Sequence, residues 1–93
     1  MTDFREIMNQ AELARRKMVV SKAEGLNLFD ALIQERGEDG MIYFKRAEAF
    51  EALGNFKKSL ADFRIAKALF PMPKWKQIAQ DGIDRTEKEI SKE

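Results

Sequence analysis

Glu48 and Glu51 are the two residues of this 93-residue chain that come closest to a catalytic pair. They are three positions apart, and on a helix that spacing places two carboxylates on one face. General acid catalysis would also require a buried pocket that raises the pKa of one carboxyl group. The carboxylates of this sequence instead have basic neighbours, which is typical of a solvated helix face. We therefore expect no catalytic residue and no enzymatic activity.

Other reactive side chains are missing or badly placed. Histidine and cysteine are absent from the sequence. A nucleophile activated by a histidine base cannot be built, and a zinc site would lack its usual ligands. The turns at residues 38–40 and 54–55 contain a single glycine each, unlike a glycine-rich phosphate loop. The sequence predicts no cofactor and no metal site.

The composition is typical of a soluble all-α domain. Hydrophobic residues make up 44% of the chain, charged residues 35%, and the net charge is +1. No apolar run approaches the length of a membrane span, and charged residues interrupt the N-terminus where a signal peptide would be apolar. The lack of cysteine is compatible with a reducing compartment. We expect one domain, no membrane association and a cytoplasmic location.

Basic residues raise the possibility of nucleic-acid binding. The cluster Arg15–Lys17 ends the first predicted helix, where the helix dipole stabilises positive charge. A single basic face would bind nucleic acid with an affinity that falls steeply with salt, but the near-neutral net charge argues against such a partner. The other basic residues considered are Lys57, Lys58, Lys74 and Lys76.

The elements that position these side chains are predicted from residues 43–71. Tyr43, Ala47 and Phe50 share one face of a helix predicted over residues 42–53. Gly54 supplies the positive φ that commonly ends a helix, and Asn55 is a suitable N-cap for the next one. That helix is predicted from residue 56 to residue 70, before a proline. The short link makes the two helices antiparallel.

Small residues in this stretch favour a close approach of the two helices, and aromatic residues fill the space beside them. This pattern resembles the 34-residue tetratricopeptide repeat (TPR). Ala47 stands where glycine is usual, and Ser59 where alanine is usual. The positions that carry the resemblance are Tyr43, Ala47, Phe50, Gly54, Ser59, Phe63, Ala66 and Pro71.

The resemblance implies an all-α fold: a short right-handed superhelix of antiparallel helix pairs, or α-solenoid, with about five helices and a C-terminal capping helix. Residues 1–93 then form a single domain, in which residues 40–71 are the well-matched repeat. Residues 3–37 are a degenerate repeat with a hairpin turn about two residues longer, or an unrelated helical hairpin. Residues 73–91 form the capping helix.

Local signals set the expected helix ends outside the repeat. The first helix is predicted over residues 3–18, capped by Thr2 or Asp3. Residues 21–24 have the form of a capping box for the second helix, which Gly37 ends. On the last helix, Asp81 and Arg85 are spaced as an exterior ion pair.

In TPR proteins the first helices of successive repeats line a concave groove that binds a peptide or a helix. The resemblance therefore implies an exposed apolar patch around Met41 and Phe44, with charge at its rim. The alternative for Phe44 is packing on a neighbouring helix. The predicted partner-binding residues are Met41, Phe44, Lys45, Glu48, Glu51, Trp75 and Ile78.

Three functions are compatible with this prediction. The first is a protein-interaction module, or adaptor, that binds a protein or peptide partner. The second is a self-associating assembly subunit, a homodimer formed through exposed apolar side chains at Val19, Val20, Phe70 and Met72. The third is the grip that some TPR domains exert on a chaperone's C-terminal carboxylate. That resemblance is incomplete, because Lys45 stands where arginine is usual and Met41 where lysine is usual.

Overall fold

A computed structural model describes residues 3–93, and this part of the chain forms five α-helices and no strand. Two apolar clusters build the core: α3 shares one with α1 and α2, and the other with α4 and α5. The all-α prediction is confirmed, and α3 is the central helix. The helices are α1 (Phe4–Val20), α2 (Lys22–Arg36), α3 (Gly40–Ala52), α4 (Phe56–Leu69) and α5 (Pro73–Ser91).

Helices α3 and α4 form a tightly packed antiparallel pair. Ser59 Oγ donates a 2.7 Å hydrogen bond to the carbonyl of Ala47, and Arg46 contacts Asp62. The contact of Arg46, one residue before Ala47 on α3, is with Asp62, three residues after Ser59 on α4. The two helices therefore run antiparallel. Gly54 has φ of 77° in the connecting turn, as predicted.

The caps of α3 and α4 differ from the expectation. Asp39 accepts a 2.9 Å hydrogen bond from the backbone N–H of Met41, so α3 begins at Gly40 rather than at residue 42. Asn55 occupies the N-cap position of α4 but its side chain makes no capping hydrogen bond. It donates instead to the carbonyl of Leu53. Helix α4 ends at Leu69, one residue before the predicted end.

The α1–α2 hairpin has a shorter turn than predicted. Helix α1 continues two residues past its predicted end at residue 18, to Val20, and Ser21 alone connects it to α2. A Cβ atom on Gly25 would lie 2.1 Å from Met18 Cα, so the two backbones touch where a glycine permits it. The predicted two-residue lengthening of the turn is wrong, because the additional residues extend α1 itself.

The predicted caps of this hairpin are only partly found. Asp3 caps α1 by accepting a hydrogen bond from the backbone N–H of Arg5, whereas Thr2 lies outside the described residues. Ser21 makes no side-chain capping bond, and Glu24 pairs with Lys17 at 2.9 Å. The capping box is therefore not formed.

Helix α5 packs antiparallel on α4 and covers the second apolar cluster. A Cβ atom on Gly82 would lie 2.6 Å from the Phe63 ring, so this glycine lets α5 approach the aromatic core. The bounds predicted for α5 are confirmed. Among residues 3–93, no helix is both long enough and apolar enough to cross a membrane.

Candidate binding surfaces

Helices α1, α3 and α5 lie side by side and form the surface on which the sequence placed partner binding. Arg85 Nε on α5 lies 3.0 Å from Glu51 Oε2 on α3. The rings of Phe44 and Trp75 connect the same two helices at 6.4 Å. The two contacts join residues 34 and 31 positions apart, so α3 and α5 run in the same direction. Lys45 connects α3 to α1 through Glu12.

The predicted apolar patch on this surface is not exposed. Met41 is fully buried and Phe44 is only 6% exposed. The Phe44 ring lies 5.5 Å from that of Phe63 and 6.1 Å from that of Phe70. The expected exposure of Met41 and Phe44 is wrong, because α4 and α5 close over this side of α3. Phe44 takes the alternative role of packing on neighbouring helices.

Lys45 is occupied by ion pairs within the chain. Its Nζ atom lies 3.1 Å from Glu12 Oε1 and 3.3 Å from Glu48 Oε1. Glu12 also accepts hydrogen bonds from Arg15 and Arg16. The hydrogen bond from Arg15, with smaller contributions from Lys45 and Arg16, lowers the pKa of Glu12 to about 2 despite partial desolvation. These contacts leave Lys45 a poor site for a partner's carboxylate.

Glu48 and Glu51 pair with different cations and do not form an acid–base pair. Glu51 accepts two hydrogen bonds from Arg85, and these raise the pKa of that guanidinium. Arg85 therefore pairs across helices rather than with Asp81, which accepts a hydrogen bond from Gln77 instead. Glu48 Oε1 is buried and faces Lys45 without a hydrogen-bonding alignment.

The other predicted site residues, Trp75 and Ile78, are half-buried against the second apolar cluster. They leave part of their surface accessible near the start of α5. Within residues 3–93 no three or more Asp or Glu side chains are grouped so that they could hold a metal ion. On the surface of α1, α3 and α5, the charged side chains therefore pair largely with one another, and the apolar residues beneath them are buried.

A second surface, which the sequence analysis missed, lies on the outer side of the α1–α2 hairpin. Leu13 is 63% exposed and Leu28 is 46% exposed. They flank a groove of about 340 Å³ between the two helices, which we call the α1–α2 groove. Its remaining lining residues are Gln10, Ala14, Ala31, Leu32 and Glu35. The signal in the sequence was a second apolar stripe on α2, formed by Leu28, Ala31 and Leu32.

The basic residues considered for nucleic-acid binding do not share one face. Lys22 contacts Asn55, which brings the α1–α2 turn beside the α3–α4 turn at one end of the molecule. Lys74 and Lys76 begin α5, at the opposite end. Lys76 also donates to the backbone carbonyl of Lys67. These cations therefore do not form one continuous basic patch.

Comparison of the chain with protein-family models, with curated proteins and with solved structures finds no match.

Proposed function

We propose that this chain is a non-enzymatic protein-interaction module, and that an amphipathic helix of a partner protein docks in the α1–α2 groove. The observation that carries this proposal is the pair of exposed leucines, Leu13 and Leu28, on either side of a groove with an apolar floor. Helix-in-groove binding uses apolar anchors spaced along one helix face, which such a groove accommodates. The polar groups of Gln10 and Glu35 stand at one end of it.

We also propose a TPR-like α-solenoid as the architecture of the module. Its support is the close crossing of α3 and α4 at Ala47 and Ser59, and the ion pair between Glu51 and Arg85, whose separation of 34 residues equals one TPR period. In a solenoid each repeat packs only on its neighbours, so an end hairpin has one face without a partner. The α1–α2 groove is such a face.

The groove is a better docking site than the surface of α1, α3 and α5. On that surface a partner would have to displace ion pairs that Lys45 and Arg85 already make, and each broken pair offsets part of the new contact. The chaperone-tail grip is disfavoured for the same reason. In the α1–α2 groove, docking removes exposed apolar area from water, which stabilises a complex by roughly 25 cal/mol per Å² before the cost of association.

The experiment is affinity capture of partners by the intact chain, compared with two variants. Leu13→Glu/Leu28→Glu places charge on both walls of the groove. Ile65→Glu introduces one of these negative charges at another exposed apolar position, on α4. The proposal predicts that bound partners are lost from the groove variant and kept by the Ile65 variant. Equal capture by both variants, with both folded by circular dichroism, would refute the groove as the docking site.

A second candidate function is self-association through exposed apolar side chains near the helix ends. Val20 is 84% exposed and Val19 is 44% exposed at the end of α1, and Met72 is 55% exposed. Phe70, which was also expected to be exposed, is only 3% exposed. Sedimentation velocity over a concentration series tests this function. A concentration-dependent dimer that Val19→Glu/Val20→Glu dissociates would favour self-association over a separate partner.

A further inference from the structure

A separate cavity of about 240 Å³ lies where α1 begins and where the α2–α3 and α4–α5 links meet. We call it the end pocket. Phe4 and Trp75 contribute aromatic surface to its wall, and Phe70, which also lines it, is only 3% exposed. The Trp75 ring lies 6.0 Å from that of Phe4 and 5.6 Å from that of Phe70. Phe4 is 45% exposed, so a substantial part of this aromatic surface is open to solvent.

The end pocket also carries negative charge. Glu38 and Asp39 line it, and no other described lining residue is ionisable. Asp39 is engaged in capping α3 through the backbone N–H of Met41. Glu38 is exposed and makes no hydrogen bond or ion pair with the described residues. The remaining lining residues are Gly40, Leu69, Pro71 and Met72. An aromatic wall and a free carboxylate therefore face the same space.

We propose that the end pocket binds a quaternary ammonium group. Aromatic rings attract cations through the negative potential of their faces, and clusters of such rings recognise quaternary ammonium ligands. Glu38 adds an opposite charge at the rim. This inference concerns a different part of the molecule from the α1–α2 groove and does not depend on it.

The chemistry of the pocket favours a quaternary ammonium over a primary one. A primary ammonium carries three N–H donors, and burying them without acceptors is unfavourable. Among the described lining residues only Glu38 offers a carboxylate free of other partners, because Asp39 caps α3, so three buried N–H donors would not all be matched. A quaternary ammonium has no donors, and its methyl groups match the apolar lining of Leu69 and Met72. Two sources present this group: a trimethylated lysine of a partner protein, and a small molecule such as choline.

Tryptophan fluorescence tests the proposal directly, because Trp75 is the chain's single tryptophan. The probes are choline and a short peptide that contains trimethyllysine. Their controls are 3,3-dimethylbutanol, the neutral isostere of choline, and the same peptide with unmodified lysine. We expect a saturable change in emission with each quaternary ammonium, and about tenfold weaker binding of each control. Tighter binding of the peptide assigns a protein source, and tighter binding of choline assigns a small molecule.

Two variants and a matched control locate the site. Glu38→Gln removes the free carboxylate, and Phe4→Leu removes one exposed ring. Asp84→Asn removes a carboxylate about 13 Å further along α5 from Trp75. We expect both pocket variants to weaken binding about threefold or more and the control to leave it unchanged. Neutral isosteres that bind as tightly as the cations, no saturable signal, or equal loss in Asp84→Asn would each overturn the proposal.

Discussion

Ser59 Oγ donates a 2.7 Å hydrogen bond to the backbone carbonyl of Ala47 across the contact between α3 and α4. Both residues are fully buried, so no space remains there for a larger side chain. We expect Ala47→Leu to lower the free energy of unfolding by about 1–3 kcal/mol through overpacking. Chemical denaturation followed by circular dichroism measures this change.

The matched control for this substitution is Ala61→Leu, at an exposed position of α4. It adds the same atoms without a crowded neighbour, and its effect should stay within about 0.5 kcal/mol. Equal stability of Ala47→Leu and the unmodified protein would contradict the close crossing of the two helices.

Phe44 should behave as a core residue. Its ring packs against those of Phe63, Phe70 and Trp75. Phe44→Ala is expected to reduce the free energy of unfolding by about 3–5 kcal/mol, because it leaves a cavity within this cluster. Phe4→Ala, at a ring that is 45% exposed, should reduce the free energy of unfolding clearly less. Urea denaturation of both variants measures the difference. If Phe44→Glu remained as stable as the parent chain and lost a partner, Phe44 would be a binding residue after all.

Arg46 and Asp62 form a largely buried ion pair that joins α3 to α4. Arg46 donates hydrogen bonds of 2.8 and 3.0 Å to the Asp62 carboxylate, and these raise the pKa of the guanidinium. The Asp62 side chain is only 5% exposed. Asp62→Ala should destabilise the fold by about 3 kcal/mol, since it leaves a desolvated cation without its main partner. Asp30, 3.7 Å from Arg46, compensates only weakly because it is 71% exposed.

The double variant Arg46→Met/Asp62→Leu distinguishes the interaction between the two charges from the cost of leaving one of them buried without a partner. Replacing both charges by apolar groups removes the uncompensated cation, so the double variant should be more stable than Asp62→Ala alone. A double-mutant cycle in urea measures the coupling energy. Additive effects of the two single substitutions would show that the pair contributes nothing as a pair.

The lowered pKa of Glu12 predicts how the stability of the protein depends on pH. Its pKa is about 2 in the folded protein, below the ordinary value of 4.5. A lowered pKa means that the folded state binds this proton less readily than the unfolded state. The associated stability is therefore complete above about pH 4.5 and is lost as the pH falls towards 2. Because solvent screens this half-buried group, we expect Glu12 to contribute about 1–2 kcal/mol to the free energy of unfolding at neutral pH.

Glu12→Gln tests this assignment. The variant should be less stable than the parent chain at neutral pH, and its stability should fall less between pH 4.5 and pH 2. Denaturation at several pH values across that interval measures both quantities. Glu89→Gln, which removes a local ion pair with Lys92 near the end of α5, is the control. The same acid sensitivity in Glu12→Gln and the parent would assign the effect to other carboxylates.

Helix content and helix ends followed closely from local chemistry. Gly37 and Gly54 both have φ of 77°, and Pro73 begins α5 as its fixed φ allows. These features depend on one or two neighbouring residues, which is why a single sequence suffices to predict them. The capping box at Ser21 failed because Glu24 found a cation on the preceding helix, a contact that residue spacing does not reveal.

The candidate site was much less predictable. Phe44 follows Tyr43, which already serves the α3–α4 side, so the sequence left open whether Phe44 faces solvent or another helix. The structure places Trp75 and Phe70 over it. In the same way, no local feature of the sequence indicates that Arg85 pairs with Glu51 rather than with Asp81, which is only four residues away along the chain. Both outcomes depend on which helices become neighbours.

The sequence by itself determined five helices, their approximate ends and the small residues that permit α3 and α4 to touch. Helix periodicity and caps are local properties, so they are written in short segments of chain. Only the tertiary structure decided which faces remain open: it buried Met41, paired Lys45 internally and left Leu13 exposed. The physical reason is that exposure depends on the packing partner of each face, which is a property of the assembled helices rather than of any one of them.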